Sequence, residues 1–269
     1  MSLTLGSGPL APTTTSTAEW NVDFSGAPKH RLVFQPDLRR IRALVDDRVV
    51  LDTTRAHLLH ETAIMPVVYA PLEDYDQFED GPGVGWTDSS TSTHCPFKGD
   101  AGYRSLGEHE DLLWLYPDPL PAAGWLKGFA ALDAKRVDAW FVEDDRVVGH
   151  LRDPYHRVDA HVSSRAVTVR CDGEVVASSP RPVLVFETGL PVRVYVPPAD
   201  VRPGAVAAGS GTRTICPYKG EATYWTVGAH EDAAWSYETP LPDALRTQSH
   251  FAFDDSVDGI EIELAAGRS

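Results

Sequence analysis

The 269-residue sequence is poor in cysteine and in positive charge. Its three cysteines, Cys95, Cys171 and Cys216, are an odd number without a C-x-x-C pair, which favours neither a disulfide framework nor a four-thiolate zinc site. The sequence also lacks an apolar run long enough to span a bilayer, and its first residues lack the basic start and apolar core of a secretory signal. We therefore expect a cytoplasmic protein.

Acidic residues outnumber basic ones, 39 to 24, so the formal net charge is −15. Proteins that bind nucleic acids gain affinity when Lys and Arg replace counterions, and anionic lipid also attracts basic surfaces. The charge therefore predicts neither nucleic acid nor membrane as a partner. The composition, 42% hydrophobic and 23% charged, is typical of a globular protein with a packed core.

The chain contains an internal repeat. The segment D-D-R-V-V-L that begins at Asp46 matches D-G-E-V-V-A at Asp172, and Glu61 matches Glu187 at the same spacing of 126 positions. The segment T-H-C-P-F-K-G-D-A-G-Y around Cys95 matches T-I-C-P-Y-K-G-E-A-T-Y around Cys216, 121 positions later. Two tandem copies of one domain are therefore predicted.

The change in spacing predicts five extra residues in one loop of the first copy, which contains Gly81, Pro82, Gly83 and Gly85. We place a disordered tail rich in Ser, Thr and Pro at residues 1–19. The first repeat is predicted at residues 20–143 and the second at 144–269.

Each repeat has the patterns of a mainly β domain with a minor α+β component. Asp172-Gly173 between two runs of strand formers predicts a hairpin with a two-residue turn. One short helix is predicted after each Pro-Leu-Pro, at residues 122–132 and 243–249. We expect two similar small antiparallel barrels or sandwiches in a pseudo-twofold arrangement, a pseudo-dimer within one chain, and leave higher oligomers open.

Several motifs occur in a fixed order: D-P-Y-H-R-V-D, E-T-G-L-P-x-R-x-Y, T-x-C-P-Y-K-G-x-A-x-Y and H-E-D-x-A-W-S-Y. Together they resemble the bacterial domain of unknown function 427 family, and residues 20–264 resemble a tandem member. The resemblance implies small, mainly β domains, and the family is sometimes labelled nucleotidyltransferase-like. The first repeat departs from the motif, because Val67 stands where the second has Arg193. We therefore look for a site first in the second repeat.

Polar residues that occur in both repeats are the candidates for chemistry. A thiolate beside Lys and His has a depressed pKa and is a competent nucleophile, whereas a Cys before Pro is often simply buried. In the catalytic hypothesis Cys216 is the nucleophile, His230 is the base, and Asp232 or Glu187 orients the base. The other candidates would bind the ligand; they are Lys219, Arg193, Tyr224, Arg157, Glu61, Cys95, Lys98, Tyr103 and His109.

Glu61 and Glu187 follow hydrophobic strand patterns, where a carboxylate needs a partner or has a raised pKa. Pairing with Arg31 or Arg157 is one interpretation, and a role as general acid or base is the other. One imidazole beside adjacent carboxylates, as at His109 and His230, is not a metal-ligand spacing, so we expect no metal. No motif requires a cofactor, and the sequence leaves open whether the protein uses one and which one.

The sequence leaves three functions open. The first is a site that binds or chemically transforms a small polar or anionic metabolite. If the metabolite is transformed, the protein would be a cysteine- and histidine-assisted transferase or hydrolase. The second is a noncatalytic scaffold or interaction module. The third, nucleotidyl transfer, follows from the family label alone, and the sequence has no convincing carboxylate pair at a short fixed spacing for Mg²⁺.

Overall fold

A computed structural model of the protein describes residues 3–4, 8, 10, 21, 26–76 and 85–266. The chain divides into two compact units, Met1–Asp153 and Pro154–Ser269. Most of the predicted tail and the predicted loop insertion at Gly81, Pro82 and Gly83 lie outside the described residues. Thr4, within that tail, is described and buried, and its hydroxyl donates to the carbonyl of Glu61 at 3.0 Å.

The first unit contains eleven described strands and one short α-helix, α1, at Leu72–Asp76. The strands are β1 Leu32–Pro36, β2 Ile41–Val45, β3 Arg48–Thr53, β4 His57–Glu61, β5 Ile64–Pro71, β6 Trp86–Cys95, β7 Gly99–Leu106, β8 His109–Leu115, β9 Phe129–Leu132, β10 Ala139–Val142 and β11 Asp145–Arg146. They form a seven-stranded sheet in the order β1-β4-β5-β9-β8-β7-β6 and a four-stranded sheet in the order β11-β10-β2-β3.

The second unit repeats this topology. Its described strands are β12 Val158–Val162, β13 Val167–Cys171, β14 Glu174–Ser179, β15 Val183–Glu187, β16 Arg193–Val196, β17 Val206–Cys216, β18 Gly220–Val227, β19 His230–Tyr237, β20 Phe251–Phe253 and β21 Ile260–Leu264. The order β12-β15-β16-β20-β19-β18-β17 reproduces the large sheet of the first unit strand for strand, and β14-β13-β21 reproduces three strands of the small one. The predicted mainly β, antiparallel duplication is confirmed.

The two sheets of each unit bury a common core. In β13 every second residue faces inward, so Val167, Val169 and Cys171 are buried while the residues between them are partly exposed. This face packs with Leu184, Phe253 and other residues of the large sheet. The described sheets have free edge strands, so each unit is a sandwich and not a closed barrel.

The local predictions hold at the hairpins but not at the helices. Asp172 and Gly173 both have positive φ, +50° and +81°, as a two-residue turn of the predicted type requires. The predicted helix at residues 122–132 is wrong in part: a 3₁₀ helix occupies Pro121–Leu126, and Phe129–Leu132 is strand β9. The second predicted helix is a 3₁₀ helix at Pro242–Thr247. Among the described residues, every helix is too short or too polar to cross a membrane.

Each unit also has a second short helical segment. The first unit has the additional helix α1, and the second has an additional 3₁₀ turn at Pro198–Asp200. Both follow the second strand of a hairpin, β5 in the first unit and β16 in the second, and a proline begins the segment or precedes it. Proline presets φ for a helical turn and cannot donate to a continuing ladder, which explains why the chain turns there.

Candidate functional site

The last residue of β15, Glu187, is the centre of a buried polar cluster. Only 7% of its side chain is exposed. Its Oε1 lies 3.0 Å from Nε2 of His156, and its Oε2 accepts a hydrogen bond from the ammonium of Lys219. The carboxylate is therefore paired on both oxygens, as burial of a charge requires.

The first unit contains the same cluster. Oε1 of Glu61 lies 2.8 Å from Nε2 of His30, and Oε2 accepts from the ammonium of Lys98. The two arginines that were predicted as partners of these carboxylates bond to other groups. Arg31 donates to the carbonyl of Leu10, and Arg157 is exposed and forms an ion pair with Asp159.

Electrostatics keep Glu187 ionised. Burial alone would raise the pKa of this carboxyl, but the hydrogen bond from His156 and the positive charge of Lys219 outweigh it and lower the pKa from 4.5 to about 2. Glu187 is therefore a fixed negative charge at neutral pH. A general acid needs a raised pKa, so this carboxyl is not suited to that role.

The C-P-[FY]-K-G motif forms the tight turn that presents the lysine. Cys216 pairs with Gly220 across the β17–β18 turn, and Gly220 has a φ of +104° that favours glycine. The backbone N–H of Leu241 donates to the carbonyl of Lys219 at 3.0 Å, which holds the turn against the next segment. The aromatic residue of the motif, Tyr218, packs on His156 with ring centroids 4.2 Å apart.

An adjoining cavity of about 290 Å³ opens beside this cluster in the second unit. Its lining combines two cations and two carboxylates with four aromatic side chains, and consists of Val185, Glu187, Leu190, Arg193, Tyr195, Lys219, Tyr224, Trp235, Tyr237 and Asp254. Strands β15, β16, β18 and β19 and three connecting segments supply these residues. Four residues that the sequence singled out therefore converge here: Glu187, Arg193, Lys219 and Tyr224.

Arg193 is held at the cavity by two contacts. Its Nη1 donates to Oδ1 of Asp255 at 2.6 Å, and its guanidinium carbon lies 5.6 Å from the centre of the Trp235 ring. The indole N–H of Trp235 in turn donates to the hydroxyl of Tyr195 at 3.1 Å. The cation–π contact and the ion pair together hold the guanidinium at the cavity.

The family model described as "Domain of unknown function (DUF427)" matches residues 33–143 and 159–263. The chain belongs to the DUF427 family. Each matched segment contains one Glu and Lys of the polar cluster, while His30 and His156 precede the matched segments. No match to this chain is found among curated proteins.

The first DUF427 repeat has nearly the same residues at the positions that line the cavity of the second. In the order given above for the lining, its counterparts are Leu59, Glu61, Ile64, Val67, Tyr69, Lys98, Tyr103, Trp114, Tyr116 and Asp133. Val67 in place of Arg193 is the one change of charge. Ala134 stands at the position of Asp255, so both members of the second repeat's ion pair are replaced together.

The proposed nucleophile and base are not brought together in the second DUF427 repeat. Cys216 is partly buried against the aromatic cluster that includes Tyr195 and Tyr237, and Cys95 occupies the same place in the first repeat. Nε2 of His230 lies 3.1 Å from the carboxylate of Asp172 at the β13–β14 turn. Trp235 follows His230 by five residues, roughly 15 Å along an extended strand, so His230 is remote from the cavity.

The remaining candidates stabilise strands and turns. Asp232 has a φ of +55° and accepts hydrogen bonds from the backbone N–H and the hydroxyl of Ser210; the hydroxyl bond is the main reason why its pKa is lowered. His109 lies 2.8 Å from Asp46, the counterpart of the His230–Asp172 contact. The hydroxyl of Tyr103 is hydrogen-bonded to the hydroxyl of Thr93, and that of Tyr224 to the hydroxyl of Thr214.

Sequence reasoning omitted five polar or aromatic residues of the cavity and the cluster from the site: His156, Tyr195, Trp235, Tyr237 and Asp254. Each has an identical counterpart in the other repeat, which is the signal that could have found them. Tyr195 and Tyr237 are buried in the core, and they line the cavity as well.

Proposed function

We propose that the second DUF427 repeat binds a small polar molecule with an anionic group in the cavity beside Glu187. The observation that carries the proposal is the convergence of Glu187, Arg193, Lys219 and Tyr224, from separate segments, on one concave surface. Perturbed ionisable groups in a cleft are typical of binding sites. A cavity of about 290 Å³ is at the small end of ligand pockets, which favours a metabolite over a larger ligand.

Arg193 is the residue expected to bind the anionic group. A guanidinium has five N–H donors in a planar fork that matches a carboxylate or phosphate, and the bond to Asp255 uses Nη1. The rings of Trp235 and of three tyrosines line the cavity and supply apolar contact for the rest of the ligand. The ammonium of Lys219 has three N–H donors, of which one goes to Glu187, so it can also donate to the polar atoms of the ligand.

The geometry favours binding over nucleotidyl transfer. Transfer of a nucleotidyl group needs carboxylates that hold Mg²⁺. In the cavity, both oxygens of Glu187 are already bonded to His156 and Lys219. Asp254 is the other carboxylate of the lining, and it accepts hydrogen bonds from the backbone N–H and hydroxyl of Ser256.

The first repeat supplies a matched variant for the test. In Arg193→Val with Asp255→Ala the second repeat receives the residues that the first repeat carries at these positions, so the fold is expected to tolerate them. Small molecules released by denaturing the purified full-length protein would be identified by mass spectrometry. We expect a bound acid in the wild type and its loss in the double variant.

The control replaces an arginine outside the cavity. Arg202 is exposed and paired with Glu174, so Arg202→Val with Glu174→Ala removes one ion pair, as the test variant does, without touching the cavity lining. It should retain the ligand. If the wild type releases no small molecule and no carboxylate or phosphate compound raises its melting temperature, the metabolite-binding proposal is wrong and the scaffold interpretation is favoured.

A further inference from the structure

Three metal-ligating side chains meet at the β13–β14 hairpin of the second repeat, away from the cavity. They are Cys171 at the end of β13, Asp172 in the turn and His230 at the start of β19. Their donor atoms all lie within 4.8 Å of one another. Cys171 is buried, whereas Asp172 is exposed and His230 is partly exposed, so one side of the cluster faces solvent.

The distances approach those of a tetrahedral zinc site. With Zn–S of about 2.3 Å and Zn–N and Zn–O of about 2.0 Å, the edges of a tetrahedron are about 3.5 Å between sulfur and oxygen and about 3.3 Å between nitrogen and oxygen. Here Sγ of Cys171 lies 3.7 Å from Oδ2 of Asp172, and Nε2 of His230 lies 3.1 Å from both carboxylate oxygens. Small side-chain rotations would therefore bring all three donors to one ion.

The first repeat shows what the same hairpin contains without a thiol. Asp46 and His109 are bonded there at 2.8 Å, so the Asp–His contact belongs to the fold of both repeats. Val45 occupies the position of Cys171. The donor set therefore becomes complete only in the second repeat.

A glycine leaves room beside the cluster in the second repeat. A Cβ atom on Gly259 would lie 2.4 Å from Oδ1 of Asp172 and 3.1 Å from Nε2 of His230. The first repeat has Asp138 at this position, and its carboxylate accepts a hydrogen bond from the backbone N–H of Asp46. The two repeats thus differ at two positions of this hairpin. The first has Val45 and Asp138 and forms a hydrogen-bonded turn, whereas the second has Cys171 and Gly259 and forms an open cluster of three donors.

We propose that Cys171, Asp172 and His230 bind one Zn²⁺ ion, with water in the fourth position. Sulfur, nitrogen and oxygen donors suit zinc, and three protein ligands with one open position are typical of sites that are accessible to solvent. The thiol, which donates weakly to Val227 O at 3.6 Å, releases its proton to solvent when the ion binds. This site differs from the expectation of no metal, because His230 lies 58 residues from Asp172 in sequence.

The test uses untagged full-length protein, because a histidine tag would itself bind metal. Co²⁺ would be titrated in place of Zn²⁺, since a thiolate bound to Co²⁺ gives a charge-transfer band in the near ultraviolet. We expect one Co²⁺ per chain, this band in the spectrum, and its loss when Zn²⁺ is added. Zinc content after dialysis would be measured independently.

Two cysteine variants test whether Cys171 is the thiolate ligand. Cys171→Val copies the first repeat and should fold, yet it should lose the charge-transfer band. Its affinity for Co²⁺ should fall by more than about 100-fold, because removal of groups that only orient a ligand already costs about 10- to 100-fold. Cys216→Ser should bind as the wild type does. Absence of the band in the wild type, or its persistence in Cys171→Val, would show that the cluster is not a zinc site.

Discussion

The ammonium of Lys219 donates to Oε2 of Glu187 in a setting where the lysine side chain is 12% exposed and the glutamate side chain 7%. His156 bonds the other carboxylate oxygen. A buried charge is tolerated only while its partners remain, so the cluster should behave as one unit in stability measurements. The cavity of the second repeat is built against this cluster.

Removal of the lysine should be costly. Lys219→Met leaves a buried carboxylate without its ammonium partner, and we expect a loss of about 3 to 5 kcal/mol in the free energy of unfolding at neutral pH. Lys98→Met should have a similar effect in the first repeat. Urea unfolding followed by circular dichroism would measure both.

The matched double variant tests the cause. Lys219→Met with Glu187→Gln removes both charges, so it should be more stable than Lys219→Met alone. A double variant that is less stable than the single one would contradict the ion-pair explanation.

Acid should weaken the second repeat through Glu187. The pKa of this carboxyl is about 2 in the folded protein against 4.5 ordinarily, so the unfolded chain binds its proton first as the pH falls. The stabilisation, roughly 3 kcal/mol at neutral pH, is complete above about pH 4.5 and is lost between there and pH 2. Unfolding free energies at several pH values would show a steeper acid loss in the wild type than in Glu187→Gln. If the unfolding free energy of both proteins falls with pH at the same slope, Glu187 is not the source of the acid sensitivity.

Tyr195→Phe should destabilise the wall of the cavity. The hydroxyl of Tyr195 accepts from the indole N–H of Trp235, and its removal leaves a half-buried donor without that partner. We expect a cost of about 1 to 3 kcal/mol in unfolding free energy. Tyr69→Phe, which breaks the matching bond to Trp114, should cost a similar amount. Tyr224→Phe loses an exposed bond to Thr214 and should cost less.

The three cysteines should react with iodoacetamide at different rates. Cys171 is 5% exposed, and burial raises the pKa of its thiol, so it should label most slowly near neutral pH. Cys95 and Cys216 are partly exposed and should label faster. Mass spectrometry of peptides, with chelator present and with a urea-unfolded control in which all three react, would give the rates. Equally slow labelling of Cys216 and Cys171 would exclude an activated thiolate at Cys216.

Much of the fold was predictable because its signals are local. The duplicated motifs identified two copies, alternating apolar residues identified strands such as β13, and Asp172-Gly173 identified a hairpin. The helices were predicted less well. Pro121 did begin a helical turn, but the segment from Phe129 pairs with β5 and β8, and those partners lie far away in sequence.

The site divides in the same way. The sequence by itself determined which residues recur, and so it singled out Glu187, Lys219, Arg193 and Tyr224 before their positions were known. Only the tertiary structure decided their partners. Antiparallel ladders join β15 to β12 and β16, and the β17–β18 turn brings Lys219, 32 residues from Glu187, onto the same carboxylate as His156. Sequence patterns report the face on which a side chain lies, whereas the register between distant strands determines which side chain it meets.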